Sequence, residues 1–368
     1  MTRRLKKNIQ VMVVLLLMFV AILSFNTSAF AAVTISQSGN IVTATNGTIT
    51  ITYDVSIGKG TFKTGGGTTL ISNWYSDYKI VGNSTRINSY DTATRSATWV
   101  SIGTDGYGTG GYRLTITNTL SSGSTILLYI NMYADQSYVI VDMTVNNGTS
   151  QQIEIMEPIG ANNLDIGSGT DKRIYTSPHN NNFDYGVAPV NNFGNSENGY
   201  DRVSGSTLTW SAFNGISHWV TAMFDNTAKQ GVIGGAATTV NWKSDQKLAV
   251  ASTANGPLTG FYLYNTGGTQ SGTSVSSDKF FLGYFSDYRT GLETFATAYT
   301  VAQPKLAWTG AVPIGYNTWY TYYSFPTADA IYAMTDYFFT HLKALGYNYI
   351  NLDCCYKGVP GQTANQIW

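Results

Sequence analysis

Trp319 and Asp353 set an indole and a carboxylate at the ends of two short apolar, aromatic runs, Val312–Trp319 and Tyr347–Leu352. An indole face stacks on the apolar C–H face of a sugar ring, and a carboxylate accepts hydrogen bonds from two neighbouring hydroxyls. Together they suit a neutral, hydroxyl-rich ligand. The competing structural roles are a carboxylate that caps a strand end and an indole packed in a core. Tyr316 and Cys354 flank the pair as further candidate ligand contacts. Other constellations are poor. The three histidines, His179, His218 and His341, are scattered without metal-ligand spacing, and His218 beside Trp219 reads as a hydrogen-bonded strand residue. His179 and Asp184 share an Asn-rich stretch and are a weak pairing. The glycines from Gly106 to Gly111 lie among strands and mark turns instead of a phosphate loop. No cofactor and no metal are expected.

The elements that must position Trp319 and Asp353 follow from periodicity. Ile331, Met334, Phe338, Leu342 and Leu345 recur at intervals of three or four, which predicts a helix with one apolar face. Thr327 is placed as its N-cap, Asp329 complements the dipole in the first turn, and Gly346 ends it. The flanking runs read as buried strands, so residues 312–368 open with a βαβ unit and a parallel sheet. A parallel strand needs cover on both faces, and an eightfold barrel needs roughly 250 residues. The sequence given closes at Trp368, so this region is expected to be the truncated start of a (β/α)8 barrel, from a longer gene product or a prematurely terminated relative.

Upstream, residues 32–300 have period two and are rich in β-branched and aromatic side chains. Thr48–Tyr53 alternates cleanly, and Asn46-Gly47 marks a hairpin before it. Tyr112–Thr117, Thr125–Tyr133 and Tyr138–Val145 continue the pattern, with a second hairpin expected at Asn147-Gly148 before Ile153–Met156. Two antiparallel sheets packed face to face are the natural reading, an all-β supersandwich. Asn180–Asn198 reads as a long surface excursion, Gly291–Tyr299 as a short helix or extended connector, and residues 301–311 as a linker.

Residues 1–31 read as a secretory signal peptide, with Arg3, Arg4, Lys6 and Lys7 ahead of the apolar run Val11–Leu23 and a small-x-small site at Ala29-Phe30-Ala31; the alternative is an uncleaved anchor. The chain counts 21 Lys and Arg against 21 Asp and Glu, and removing that basic leader leaves the rest mildly acidic. That balance argues against nucleic acid and against a polybasic membrane surface. Charged residues are only 11%, so Thr, Ser, Asn, Gly and Tyr carry the polarity. The two cysteines are adjacent, Cys354 and Cys355, so disulfide scaffolding is excluded and the fold must rest on apolar cores. A secreted protein that meets oligosaccharide or polysaccharide is expected, with its oligomeric state left open.

Pro313-Ile314-Gly315-Tyr316-Asn317-Thr318-Trp319 and Leu345 to Tyr356, in the order and spacing they have here, resemble the opening of the catalytic barrel in the clan of α-galactosidases and α-N-acetylgalactosaminidases. The first strand there typically reads Gly-Trp-Asn-Ser-Trp, and the second ends Gly-Tyr-x-Tyr-x-Asn-x-Asp-Asp-Cys-Trp. A weaker resemblance, to the β-sandwich that precedes the barrel in many members, is carried by Phe224-Asp225-Asn226 with Gly231–Gly235, by Ser277-Asp278 with Gly283-Tyr284, and by Gly291-Leu292-Glu293. The resemblance implies that Trp319 and Asp353 hold a terminal galactose-like unit. It also implies a retaining mechanism with two aspartates on later barrel strands, so no catalytic residue is assigned within residues 1–368. Cys354 stands where the family has a second aspartate, and Tyr316 and Tyr356 where it has tryptophan. Cysteine is a weak acceptor, which leaves the recognition of one sugar hydroxyl, and galactose specificity with it, open. The expected function is the release of terminal α-galactosyl-type units by the full-length product. The alternatives are a non-catalytic carbohydrate-binding sandwich and a glycosidase of other specificity.

Overall fold

The computed structural model describes residues 31–91, 94–177, 186–190, 216–251, 253, 255–323 and 326–353. Two compact units divide between Pro304 and Lys305.

Period-two alternation builds the first unit. The strands β1 (Thr34–Ser38), β2 (Ile41–Thr45), β3 (Ile49–Asp54) and β4 (Lys59–Thr64) form an antiparallel meander. Its β2–β3 hairpin turns at Asn46-Gly47, where Asn46 Oδ1 accepts from the backbone N–H groups of Thr48 and Ile49 at 3.0 Å each and Gly47 takes φ 81°. Next, β5 (Thr69–Ile80) pairs with β4 along its first part and with β6 (Ile87–Asn88) further on. The strands β7 (Thr94–Gly103), β8 (Gly111–Thr119) and β9 (Thr125–Met132) lead to the 24-residue β10 (Tyr138–Ala161).

That long strand joins two sheets. Its first half pairs with β9 on one side and with β19 (Phe280–Phe285) on the other. Beyond β19 lie β15 (Gly231–Ala236), β14 (Val220–Asp225), β11 (Lys172–Thr176) and β12 (Gly186–Pro189). Its second half pairs with β5 on one side and β17 (Leu258–Thr266) on the other, with β16 (Lys243–Ala251) and β13 (Ile216–His218) outside β17. The remaining strand, β18 (Gln270–Ser276), pairs with β10 across the join. The hairpin expected at Asn147-Gly148 is therefore absent. Gly148 does take φ 70°, but the chain runs on as strand, and the register against β18 jumps between Asn146 and Gln151. Partners on both flanks hold each half of β10 extended, which outweighs the turn preference of one dipeptide and reduces it to a bulge.

The core lies between the two sheets. Val42, Ile51, Tyr53, Phe62 and Trp74 from one layer join Leu114, Ile116, Leu128 and Ile130 from the other in a single buried cluster. Tyr53 packs on Trp74 at 5.4 Å, and its hydroxyl crosses to Asn118 Oδ1 on β8 at 3.2 Å. Full burial of each such side chain contributes about 1.5–3 kcal/mol. Two of the stretches noted for resemblance are structural caps. Asp225 Oδ1 accepts from the backbone of Thr227 and Ala228 at 2.7 Å each, and the Asp278 carboxylate accepts from Val240 N and Trp242 N at 3.1 Å each. The stretch from Gly291 lies in a regular helix, α1 (Tyr288–Tyr299), capped by Asp287 and laid on β15 and β19 through buried Phe295.

The second unit contains β20 (Gly315–Asn317), the short α2 (Trp319–Tyr322), α3 (Ala328–Tyr337) and β21 (Tyr349–Asn351). The side chain of Thr327 caps α3 by accepting from Ala330 N at 3.3 Å, and Gly346 closes the helical stretch at φ 94°. Regular α-helix is shorter than the apolar spacing predicts, because Phe338–Leu342 continues as π-helix and Lys343–Leu345 as 3₁₀. Of the runs Val312–Trp319 and Tyr347–Leu352, expected to be buried strands, only Gly315–Asn317 and Tyr349–Asn351 are strand, and Val312, outside β20, is 76% and Tyr349 53% exposed.

Candidate functional site

The two strands of the second unit run parallel, with Gly315, Tyr316 and Asn317 opposite Tyr349, Ile350 and Asn351. A glycine at 315 has a steric reason. A Cβ there would stand 1.9 Å from the Tyr349 carbonyl oxygen, so any side chain would wedge the strands apart. Successive side chains alternate in direction, which separates Tyr316 from Asn317. The Tyr316 ring meets Phe338 edge-on at 5.9 Å, and its hydroxyl bonds Thr321 Oγ1. Tyr316 thus packs within the strand–helix layer.

Asn317 organises the strand ends. Its Nδ2 donates to Asp353 Oδ2 at 2.8 Å, while its Oδ1 accepts from the backbone N–H of Trp319 at 2.8 Å. Thr318, 1% exposed, donates its N–H to Asn351 O and accepts from Asp353 N through Oγ1, both at 3.0 Å. Asp353 is therefore held by side chain and backbone from the end of the neighbouring strand. Because the Asn317 side chain captures the next N–H but one, β20 stops there, and Trp319 opens α2 instead of ending a strand. Its ring lies 5.8 Å from that of Tyr323, edge to face. Trp319 and Asp353 are both half-buried.

This arrangement brings a carboxylate and an indole to the C-terminal ends of adjacent parallel strands, the position at which barrel folds build their sites. Cys354 lies outside the described residues, as do Cys355, Tyr356, His179, Asp184 and most of Asn180–Asn198. Sequence reasoning singled out Trp319 and Asp353 but not Asn317 and Thr318, which fix them. The available signal was their spacing: an Asn and a Thr directly before the aromatic residue, in the manner of residues that bond nearby backbone. His218 pairs with Asp245 in the first unit, Nδ1 to Oδ1 at 2.6 Å. Among the described residues no group of three His, Cys, Asp or Glu is placed to hold a metal, and no helix is long and apolar enough to cross a membrane.

No family model and no curated protein matches this sequence. Solved structures similar to it include an α-N-acetylgalactosaminidase of Bifidobacterium bifidum in complex with GalNAc, at 14% identity and a TM-score of 0.45, covering 72% of this chain and 39% of that one. The α-galactosidase AgaB of Geobacillus stearothermophilus gives 11% identity and a TM-score of 0.48, over 88% of this chain and 50% of that one. An α-galactosidase of Lactobacillus brevis gives 8% and 0.46, over 86% and 48%. The chain spans about half of these structures or less. At these values the likeness carries no argument about activity.

Proposed function

We propose that this chain is the N-terminal part of a secreted glycoside hydrolase that removes terminal α-galactosyl-type units, and that the half-site at Trp319 and Asp353 grips the terminal sugar. The observation that carries the reading is the Asn317–Asp353 bond beside Trp319. It holds an acceptor and a stacking surface at the ends of two parallel strands, and these are the residues whose motifs resemble the family's barrel opening. The ring would lie on the indole, with two adjacent hydroxyls donating to the Asp353 carboxylate. Cleavage would use two carboxyl groups about 5 Å apart on later strands of a barrel, one attacking the anomeric carbon and the other protonating the leaving oxygen.

The reading is tested on the full-length gene product with a chromogenic α-galactoside. Hydrolysis that falls sharply in Asp353→Asn supports it. A full-length product that cleaves no glycoside refutes it and leaves a carbohydrate-binding or purely structural role.

A further inference from the structure

The outer face of the second sheet in the first unit carries a concavity of about 240 Å³. Tyr75 and Asp77 contribute to it from β5, and Tyr262 and Tyr264 from β17. Each pair is two residues apart and so projects from one face of its strand. Lys247 on β16 and Glu157 on β10 complete the walls together with Arg86.

Asp77 and Glu157 stand directly opposite each other across β5 and β10, a costly position for like charges. Arg86 bridges them through Nη1, 3.0 Å from Asp77 Oδ1 and 2.6 Å from Glu157 Oε2. Both carboxyl groups are 2% exposed. The cluster is nevertheless incomplete, because Glu157 Oε1 has no hydrogen-bond partner. An unmatched buried acceptor costs about 1–3 kcal/mol, and this one belongs to a side chain lining the concavity.

The chemistry of the walls defines what fits. Two carboxyl groups face two cations, Arg86 and Lys247, so the walls carry no excess charge once both carboxyl groups are ionised. Half-buried Tyr75, Tyr262 and Tyr264 supply flat ring faces and hydroxyls. Burial, followed by the charges of Glu157 and Asp77, pushes the Tyr75 phenol up, and burial, followed by Asp245 and Glu157, does the same at Tyr264. Both hydroxyls therefore remain protonated donors. Aromatic faces beside paired donors and acceptors match a ring that carries hydroxyls on its edge and C–H bonds on its face.

We propose that this concavity is a second saccharide site, which takes one neutral pyranose unit against the tyrosines and binds its hydroxyls through Arg86, Lys247 and the tyrosine hydroxyls. It stands independently of the half-site at Trp319 and Asp353.

The test is calorimetric titration of the full chain carrying Asp353→Asn, so that a failure of the barrel reading does not touch the result. The probes are galactose, glucose and raffinose, with glucuronate as the charged comparison. Saturable binding of a neutral probe is expected, weakened about tenfold by Tyr264→Phe and by Lys247→Met, the loss expected for about one hydrogen bond. Neither change removes a member of the Asp77–Arg86–Glu157 cluster, and circular dichroism checks the fold. Absence of saturable binding, unchanged affinity in both variants, or preference for glucuronate would each overturn the proposal.

Discussion

Asn317 and Asp353 join the ends of two parallel strands, with amide Nδ2 and carboxylate Oδ2 2.8 Å apart, while the same asparagine fixes the backbone of Trp319. One side chain thus sets the separation of the two groups proposed to hold the sugar. In the full-length product, Asp353→Asn is expected to lower kcat/KM about 10–100-fold, the loss of one charged hydrogen bond. Asn317→Ala should lower it less, by several-fold, because the carboxylate survives but loses its tether. Equal activity in Asn317→Ala and wild type would show that Asp353 needs no such support.

Gly315 tests the strand pairing itself. With a Cβ 1.9 Å from Tyr349 O, Gly315→Ala must displace one strand. Hydrogen exchange at Thr318 and Tyr349, whose N–H groups donate to Asn351 O at 3.0 Å and Ile314 O at 3.3 Å, should accelerate markedly, and sugar affinity should fall with it. Unchanged protection would mean that the pair tolerates a side chain there.

The buried acids of the first unit give stability a pH slope. Burial pushes Asp142 up to about 6. Burial raises both Asp77 and Glu157, with their mutual repulsion adding at Glu157, against the attraction of Arg86. A raised folded-state pKa means that the native chain binds more protons than the unfolded one above the ordinary carboxylate value of about 4. Unfolding free energy is therefore expected to fall as pH rises from about 4 through 6, and the decline to continue while the Asp77–Glu157 pair ionises. Urea melts across this range provide the measurement, and Glu157→Gln should flatten the curve. Stability that climbs with pH over the same interval would contradict the assignment.

Packing of Trp74 over Gly60 can be probed with a pair of substitutions. A Cβ at Gly60 would lie 2.2 Å from the Trp74 ring, which is 2% exposed in the core. Gly60→Ala should cost about 1–3 kcal/mol by overpacking, and Trp74→Ala about 3–5 kcal/mol by leaving a cavity. The double variant should cost less than the sum of the two single penalties, since removing the indole relieves the clash. Strict additivity in denaturant melts would exclude the contact.

Local pattern carried much of this protein. Alternation in Thr48–Tyr53 set which residues of β3 face the core, Asn46-Gly47 set a hairpin, and Thr327 and Gly346 bounded the helical stretch of the second unit, because each depends on neighbours within a few residues. Trp319 and Asp353 were legible as candidate ligand contacts by type and position in their runs. Tertiary structure decided the remainder. Asn147-Gly148 became a bulge because paired strands hold β10 extended before and after it, and Tyr316 was turned onto Phe338 by the alternation of a strand whose start only the parallel partner defines. The Asp77–Arg86–Glu157 cluster had only a faint trace in sequence, the same-face spacing of Tyr75 with Asp77 and of Tyr262 with Tyr264. Asp77 and Arg86 are nine residues apart, but Glu157 lies on β10, 71 residues beyond Arg86, and which strands become neighbours is fixed by the burial of a shared core, a property of the whole sheet that no short window contains.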